Sequence, residues 1–282
     1  MSNSHYNTAL FEQMPIPRAV GKLVVPTILS SLVMVLYNMA DTYFVGQLND
    51  AVQNAAVTLS APVLLAFNAI NNLFGVGSSS MMSRALGQKD YDAVRKSASF
   101  GLYCAFGSGL LFSLLCLCFF RPLLTLLGAD EITMEATAGY LGWTVVCGAA
   151  PSILNVVLAY LVRAEGDSLQ ASIGTMSGCV LNMILDPIFI FVCDWGIAGG
   201  AWATVIGQIF SFILALRYLW RFQTIHFEKE SFLLDIKESL KICSMGISSS
   251  SNQIAVTVIQ IIQYNSLTYY GALTKYGTDI PL

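Results

Sequence analysis

The sequence predicts an all-α polytopic membrane fold: a six-helix transmembrane lobe followed by a seventh span. Three observations carry that reading. Of 282 residues, 55% are hydrophobic and 11% charged, whereas an ordinary soluble domain is about 25% charged. Mean hydropathy is +0.65. Seven apolar stretches reach the roughly 20 residues a helix needs to cross a bilayer. They lie near 22–45, 55–81, 97–120, 137–161, 170–193, 197–219 and 242–271.

The first 18 residues are polar and lack the apolar core of a signal peptide, so span one is expected to stay in the mature protein. Short connections near 46–54, 162–169 and 194–196 predict antiparallel neighbours. Basic residues set the orientation. Of the 14, all but Arg121 and Lys275 fall before span one or after spans two, four and six. That side is expected to be cytoplasmic, with the amino terminus inside and the loops at Asp50, Asp130–Glu131 and Asp194 outside. The net charge of −3 says little beside this distribution.

Residues 1–220 read as the six-span lobe and 221–241 as a linker. Within the linker, Leu233, Ile236 and Leu240 recur at helical spacing among charges, which predicts an amphipathic helix on the inner surface. Residues 242–282 read as the first span of an incomplete second lobe. Leu240–Tyr270 and Leu23–Val45 both open beside a lysine, pass a helix-weakening residue and end in tyrosine-rich sequence. Six-span repeats of this kind are common in membrane carriers.

Of 17 acidic residues, Asp41 and Asp186 sit clearly within spans. A carboxylate at the bilayer centre costs about 2.5–3.5 kcal/mol even on insertion scales, so such a group usually has a use. At 1.5 Å per residue, Asp41, Asp186 and Thr204 all fall roughly 6–12 Å below the outer surface. Asn182 precedes Asp186 by one turn, Tyr37 and Asn38 precede Asp41 by one turn, and Gln208 follows Thr204 by one turn. Carboxylate, amide and hydroxyl oxygens suit a hard cation such as Na⁺, or either carboxylate carries a proton. The alternatives are carboxylates at span ends snorkelling to water, and a Thr204 hydroxyl bonded to its own helix.

Pro26, Pro62, Pro151 and Pro187 lie in spans, where each frees a carbonyl four residues earlier and favours a bend. Pro187 follows Asp186 directly, so protonation and bending of span five are expected to couple. Clusters at Gly75–Ser80, Gly107–Gly109 and Gly196–Gly200 predict close helix packing. Asn68, Asn71 and Asn72 line a cavity or cross-bond helices. The seven cysteines read as packing residues, since no spacing suits a metal, and the two histidines lie outside the spans. No phosphate-binding, nucleophile-elbow or metalloenzyme motif is present, and nothing points to nucleic acid or to a cofactor.

Three stretches resemble the multidrug and toxic compound extrusion (MATE) transporters. They are SSSMMSRALGQKDYDAV after span two, AYLVRAEGDSLQASIGTMSGCVLNMILDPIFIF across spans four and five, and WGIAGGAWATVIGQ opening span six. The resemblance covers nearly all of residues 10–220. It implies half of a twelve-span, two-lobe transporter of a bacterial inner membrane that exports cationic amphipathic drugs in exchange for Na⁺ or H⁺. By motif, the family's cation site falls on Asp41, Asn182, Asp186 and Thr204, with Tyr37 nearby and Pro26 as the bending point of span one. Met34, Asn38, Asn71, Asn155 and Gln208 are the candidate lining of the substrate cavity. Five spans of a second lobe are missing, so residues 1–282 alone are expected not to transport. A flippase for lipid-linked precursors is the alternative within the superfamily, but the spans carry no deep basic residue to hold phosphates. A non-transporting membrane scaffold is the alternative outside it.

Overall fold

The computed structural model describes residues 14–48, 50–219 and 236–275. Ten α-helices run through these residues: α1 Ile16–Gln47, α2 Ala51–Asn71, α3 Gly77–Gly87, α4 Tyr91–Cys118, α5 Phe120–Leu126, α6 Met134–Leu141, α7 Ala149–Ala164, α8 Ser168–Pro187, α9 Gly196–Leu219 and α10 Ile236–Lys275. Three π-helical turns, Asn72–Val76, Gly142–Cys147 and Ile188–Val192, join or extend them. No strand occurs among the described residues.

Five helical stretches are long and apolar enough to cross a membrane: Ile16–Gln47, Ala51–Gly87, Tyr91–Cys118, Ser168–Val192 and Gly196–Tyr218. A sixth is a pair, Met134–Cys147 with Ala149–Ala164, bent by 52°. These are the six spans of the predicted lobe. The seventh prediction corresponds to α10, a single 40-residue helix that is long enough to cross but less apolar than the others. The expected amphipathic helix over 221–241 lies outside the described residues up to 235. From Ile236 the chain is already helical and continuous with α10.

The bend in span four sits one turn before Pro151, whose missing N–H leaves the Cys147 carbonyl without its helical donor. Pro187 ends α8 at the third π turn. Pro26 and Pro62 lie inside uninterrupted helices.

One expectation needs correction. The short loop between spans one and two predicts neighbours, yet α1 and α2 barely touch. Instead α1 leans on α8, and α2 is covered by α10. The polar face of α1, with Tyr37 and Asp41, turns toward the only other intramembrane carboxylate among the described residues, on α8. The other two short connections do join packed neighbours, α7 with α8 and α8 with α9.

The main core lies between α2, α3, α4 and α7, around Met82, Val94, Leu141, Val145, Ile153 and Val157, all fully buried. Burying leucine against protein rather than lipid yields little hydrophobic free energy, so close packing has to hold such a core. Small residues supply it. A Cβ on Gly75 would meet the Tyr160 ring at 2.5 Å, one on Gly109 the Ala150 Cα at 3.0 Å, and one on Gly199 the Phe189 backbone at 2.7 Å. Gly107, by contrast, faces open space. Leu110, Leu111, Leu114, Leu115 and Leu117 of α4 are exposed, as a lipid-facing surface requires.

Candidate cation site

Tyr37 and Asp41 share one face of α1, four residues apart, and that face lies against α8. Opposite them on α8, Asn182 is 3% exposed and Asp186 is fully buried. The Asn182 amide donates to the Thr204 hydroxyl on α9 at 3.1 Å. The Tyr37 hydroxyl is within hydrogen-bonding reach of Thr204 and within electrostatic range of both Asp41 and Asp186. The Asp41 charge acts on Asp186. The structure therefore brings together all five residues that the sequence assigned to cation coupling.

Asp186 is fully buried, away from water, Asp41 is half-buried, and the Thr204 hydroxyl accepts from a neighbouring helix.

The site has unfilled acceptors. Both Asp186 carboxylate oxygens and the Asn182 Oδ1 are buried with no hydrogen-bond partner among the described residues. A buried acceptor without a donor costs about 1–3 kcal/mol, more for a charged group. Two carboxyls in one buried pocket demand a positive partner, an ion or a proton. The donor set is all oxygen, which fits a hard monovalent cation or a proton and does not fit a thiophilic metal. No cluster of three or more His, Cys, Asp or Glu side chains occurs among the described residues.

Sequence reasoning missed a fourth helix at this place. Tyr140 of α6 is 6% exposed and acts electrostatically with Asp41, Tyr37 and Asp186. Its only sequence signal is a phenol within a span at the depth of the other groups. The bend after Gly142–Cys147 separates this short helix from the rest of span four.

The candidate cavity residues divide into two sets. Asn155 of α7 donates to the Gln208 Oε1 of α9 at 2.9 Å, one turn beyond Thr204. Asn155 also borders a crevice of about 10 Å³, shared with Gln170, Thr175 and Tyr218, room for roughly one water. Met34 and Asn38 instead lie on the exposed face of α1, with Met34 at 52% exposure. Asn71 is buried at the end of α2 with its Oδ1 unpartnered. Asn72 accepts from the Tyr160 hydroxyl at 3.2 Å, the cross-bonding role among the two expected for these amides.

Outside the membrane-spanning segments, two acidic groups are set apart by opposite causes. Asp50, at the start of α2, accepts from the Gln53 side chain at 2.9 Å and from the Val52 amide at 2.9 Å. Those donors hold its carboxyl below the usual range. Gln53 in turn accepts from the Ile197 amide at 3.1 Å, tying α2 to the start of α9. Glu165, between α7 and α8, is pushed up to about 9 by burial and by the neighbouring Asp167.

The sequence and the fold both match known proteins. The MatE family model matches residues 26–188. The multidrug export protein MepA of Staphylococcus aureus (strain NCTC 8325 / PS 47) is 31% identical over 276 residues, covering 96% of this chain and 61% of MepA. An outward-facing multidrug resistance MATE family transporter of the MOP superfamily superposes with a TM-score of 0.83 at 26% identity, over 90% of this chain and 56% of that one. An inward-facing structure gives 0.76 at 25% identity, over 86% and 55%. The chain thus spans a little over half the length of the relatives it matches. Since the family match takes in more than half of the chain, from Pro26 on α1 through the Asn182–Asp186 pair on α8, the chain belongs to the MatE family of multidrug and toxic compound extrusion transporters.

Proposed function

We propose that this chain supplies the amino-terminal lobe of an efflux antiporter that exports cationic amphipathic compounds in exchange for Na⁺ or H⁺. The observation that carries the proposal is Asp186: fully buried, with both oxygens unpartnered, one turn from Asn182 and within electrostatic range of Tyr37 and Asp41. A carboxylate placed that way makes sense as half of a site for a positive charge that comes and goes.

In this reading the coupling ion enters from the Asp50 side and bridges Asp41 and Asp186, with Asn182 Oδ1 and the hydroxyls of Thr204 and Tyr37 completing the oxygen shell. Asp41 is carried by α1, the span with the least buried surface, which rests mainly on α8. Ion binding draws α1 against α8, with Pro26 as the bending point, and the Pro187 π turn lets α8 adjust beside the site. The cationic compound and the coupling ion favour different positions of α1, and that differential affinity couples the two movements. Residues 1–220 form the lobe and 242–282 open a second one, whose remaining helices close the other side of the substrate cavity. Residues 1–282 alone are therefore expected not to transport. The protein acts as a carrier, without cofactor or chemical step, in a bacterial cell membrane with its amino terminus inside.

The test is efflux of a fluorescent cationic dye from proteoliposomes holding the complete two-lobe protein. External Na⁺ and the pH gradient are varied separately, beside the Asp186→Asn variant. Efflux that follows one gradient and is lost in Asp186→Asn supports the proposal and names the ion. Dye movement indifferent to Asp186→Asn refutes the site. Failure of either gradient to drive any dye refutes the antiport.

A further inference from the structure

Span seven, α10, lies along span two, on α2, the π turn Asn72–Val76 and α3. Ile242 of α10 is 2% exposed, Gly246 is buried and Ser250 is 6% exposed, every fourth residue on a single face. Beyond Ser250 no described residue of α10 is buried. The helix is therefore pressed against the lobe at the end that carries Arg84, Lys89 and Lys241, and sits loosely toward the other end. There the exposed Asn265 amide reaches the Leu126 carbonyl of α5 at 3.1 Å while also bonding its own Ile261 carbonyl.

The pressed end is a contact of backbone on backbone. A Cβ on Gly77 would lie 2.4 Å from the Ile242 carbonyl oxygen, and one on Gly246 would lie 1.9 Å from the Leu73 carbonyl oxygen. The pairing is reciprocal, each helix offering a glycine where the other presents a large residue. A step of four residues along α10, from Ile242 to Gly246, is matched by a step of four back along span two, from Gly77 to Leu73, so the helices run antiparallel. The next step brings Ser250 level with Ala69, itself 6% exposed. Leu73 lies inside the π turn, whose wider coil carries its backbone out toward Gly246.

Both glycines lie within helices and at negative φ, so neither serves a turn. Helix propensity disfavours them there, and what they provide is the close approach. Contact of this kind is held by dispersion and weak Cα–H···O attraction. Such a seam separates without unpairing a buried charge. The graded burial of α10, tight at one end and loose at the other, is the geometry of two bodies closed at one end of a central path and spread at the other.

We propose that Gly77, Leu73 and Ala69 on span two and Ile242, Gly246 and Ser250 on span seven form the joint that closes the inner end of the substrate path, and that this joint parts when the protein opens inward. The proposal rests on the reading of the chain as the amino-terminal lobe of a two-lobe carrier. Span seven then carries the second lobe onto and off this surface. A side chain at either glycine holds the helices apart, because the opposing carbonyls belong to the main chain and cannot rotate away. Alanine in place of either glycine therefore favours the parted state.

The test is double electron–electron resonance on the complete two-lobe protein in lipid, in a background whose native cysteines are serine. Nitroxides on Ser83→Cys of α3 and Ser244→Cys of α10, both exposed positions, span the joint. The expected result is a short separation with the joint intact, lost to a longer one in Gly77→Ala and in Gly246→Ala. Gly107→Ala, whose Cβ meets nothing within 4 Å, is expected to leave the short separation unchanged. A short separation retained in both joint variants overturns the closure, and so does an equal lengthening in Gly107→Ala. Where the joint variants fail to fold, the unsubstituted joint decides. A second, longer separation is expected to grow as Na⁺ and pH are varied with a cationic dye present, and a single separation under all these conditions overturns the parting. The glycine arms are read at fixed ion and without dye, whereas the antiport reading is judged by efflux, so the two failures are separable.

Discussion

Asn182 donates its amide to the Thr204 hydroxyl across 3.1 Å, and this single bond fixes which Asn182 atom is left over. With Nδ2 committed to α9, the Oδ1 is left as a buried acceptor without a partner among the described residues, one helical turn before Asp186. Thr204 thus orients one ligand of the proposed site as well as belonging to it.

Thr204→Val keeps the shape of the side chain and removes the hydroxyl. The Asn182 amide then loses its acceptor in a buried place, which costs about 1–3 kcal/mol. A lower melting temperature of the purified protein and weaker binding of the coupling ion are expected together. Thermal unfolding with and without Na⁺ at fixed pH, and across pH at fixed Na⁺, reads both for either ion. An unchanged melting temperature with normal ion stabilisation would show that the bond does not orient Asn182.

Tyr140→Phe tests the fourth helix. The phenol lies within electrostatic range of Asp41, Tyr37 and Asp186 from α6, and an interaction of about 1.4 kcal/mol is tenfold in affinity. Losing the hydroxyl is expected to weaken the coupling ion by about tenfold or more while leaving the fold intact, since the ring still packs with Val45, Ala56, Ile197 and Ala201. Ion-dependent efflux titrations give the shift. Coupling constants equal to those of the native protein would remove Tyr140 from the site.

Much of this arrangement was legible in the sequence, for identifiable reasons. Span lengths and charge placement are one-dimensional properties, so six spans and their order follow from hydropathy. Asp41, Asn182, Asp186 and Thr204 stood out because polar groups are rare in apolar runs, and helical rise converts their positions into depth. Packing partners are three-dimensional and were harder to read. A short loop does not force α1 onto α2 when the polar face of α1 finds Asp186 instead. Tyr140 was missed because no carboxylate stands one turn from it on its own helix, as Asp41 does from Tyr37. The burial of Glu165 was not legible because it depends on how the connection between α7 and α8 folds, not on its neighbours in sequence.

Packing makes a contrast between two glycines. A Cβ on Gly178 of α8 would lie 1.9 Å from the Ser211 Oγ and 2.7 Å from the Gly207 carbonyl of α9. The carbonyl cannot rotate away, so Gly178→Ala must part the two helices, at about 1–3 kcal/mol for such overpacking. Gly107 of α4 faces nothing within 4 Å, and Gly107→Ala is expected to stabilise by up to about 1 kcal/mol through helix propensity. Melting temperatures moving in opposite directions would bear this out. A loss in both would mean that lipid-facing glycines are also under packing constraint.

The turn at Asp50 makes the fold sensitive to acid. The donors Gln53 and Val52 hold the Asp50 carboxyl below its ordinary value of 3.8. A carboxyl depressed in the folded state stabilises at pH above its unfolded value, and that contribution is lost as pH falls through the folded value. Asp50→Ala removes the cap of α2 and frees Gln53, which otherwise accepts from the Ile197 amide at 3.1 Å and ties α2 to α9. The native protein is therefore expected to be more stable than Asp50→Ala at neutral pH, and the two melting curves to converge below pH 3.8. Asp50→Asn keeps an acceptor without the charge and is expected to fall between them, with no convergence of its own. Thermal unfolding of the three proteins across pH decides the point. A gap between native and Asp50→Ala that persists unchanged into acid would show that the cap acts through shape rather than through its charge.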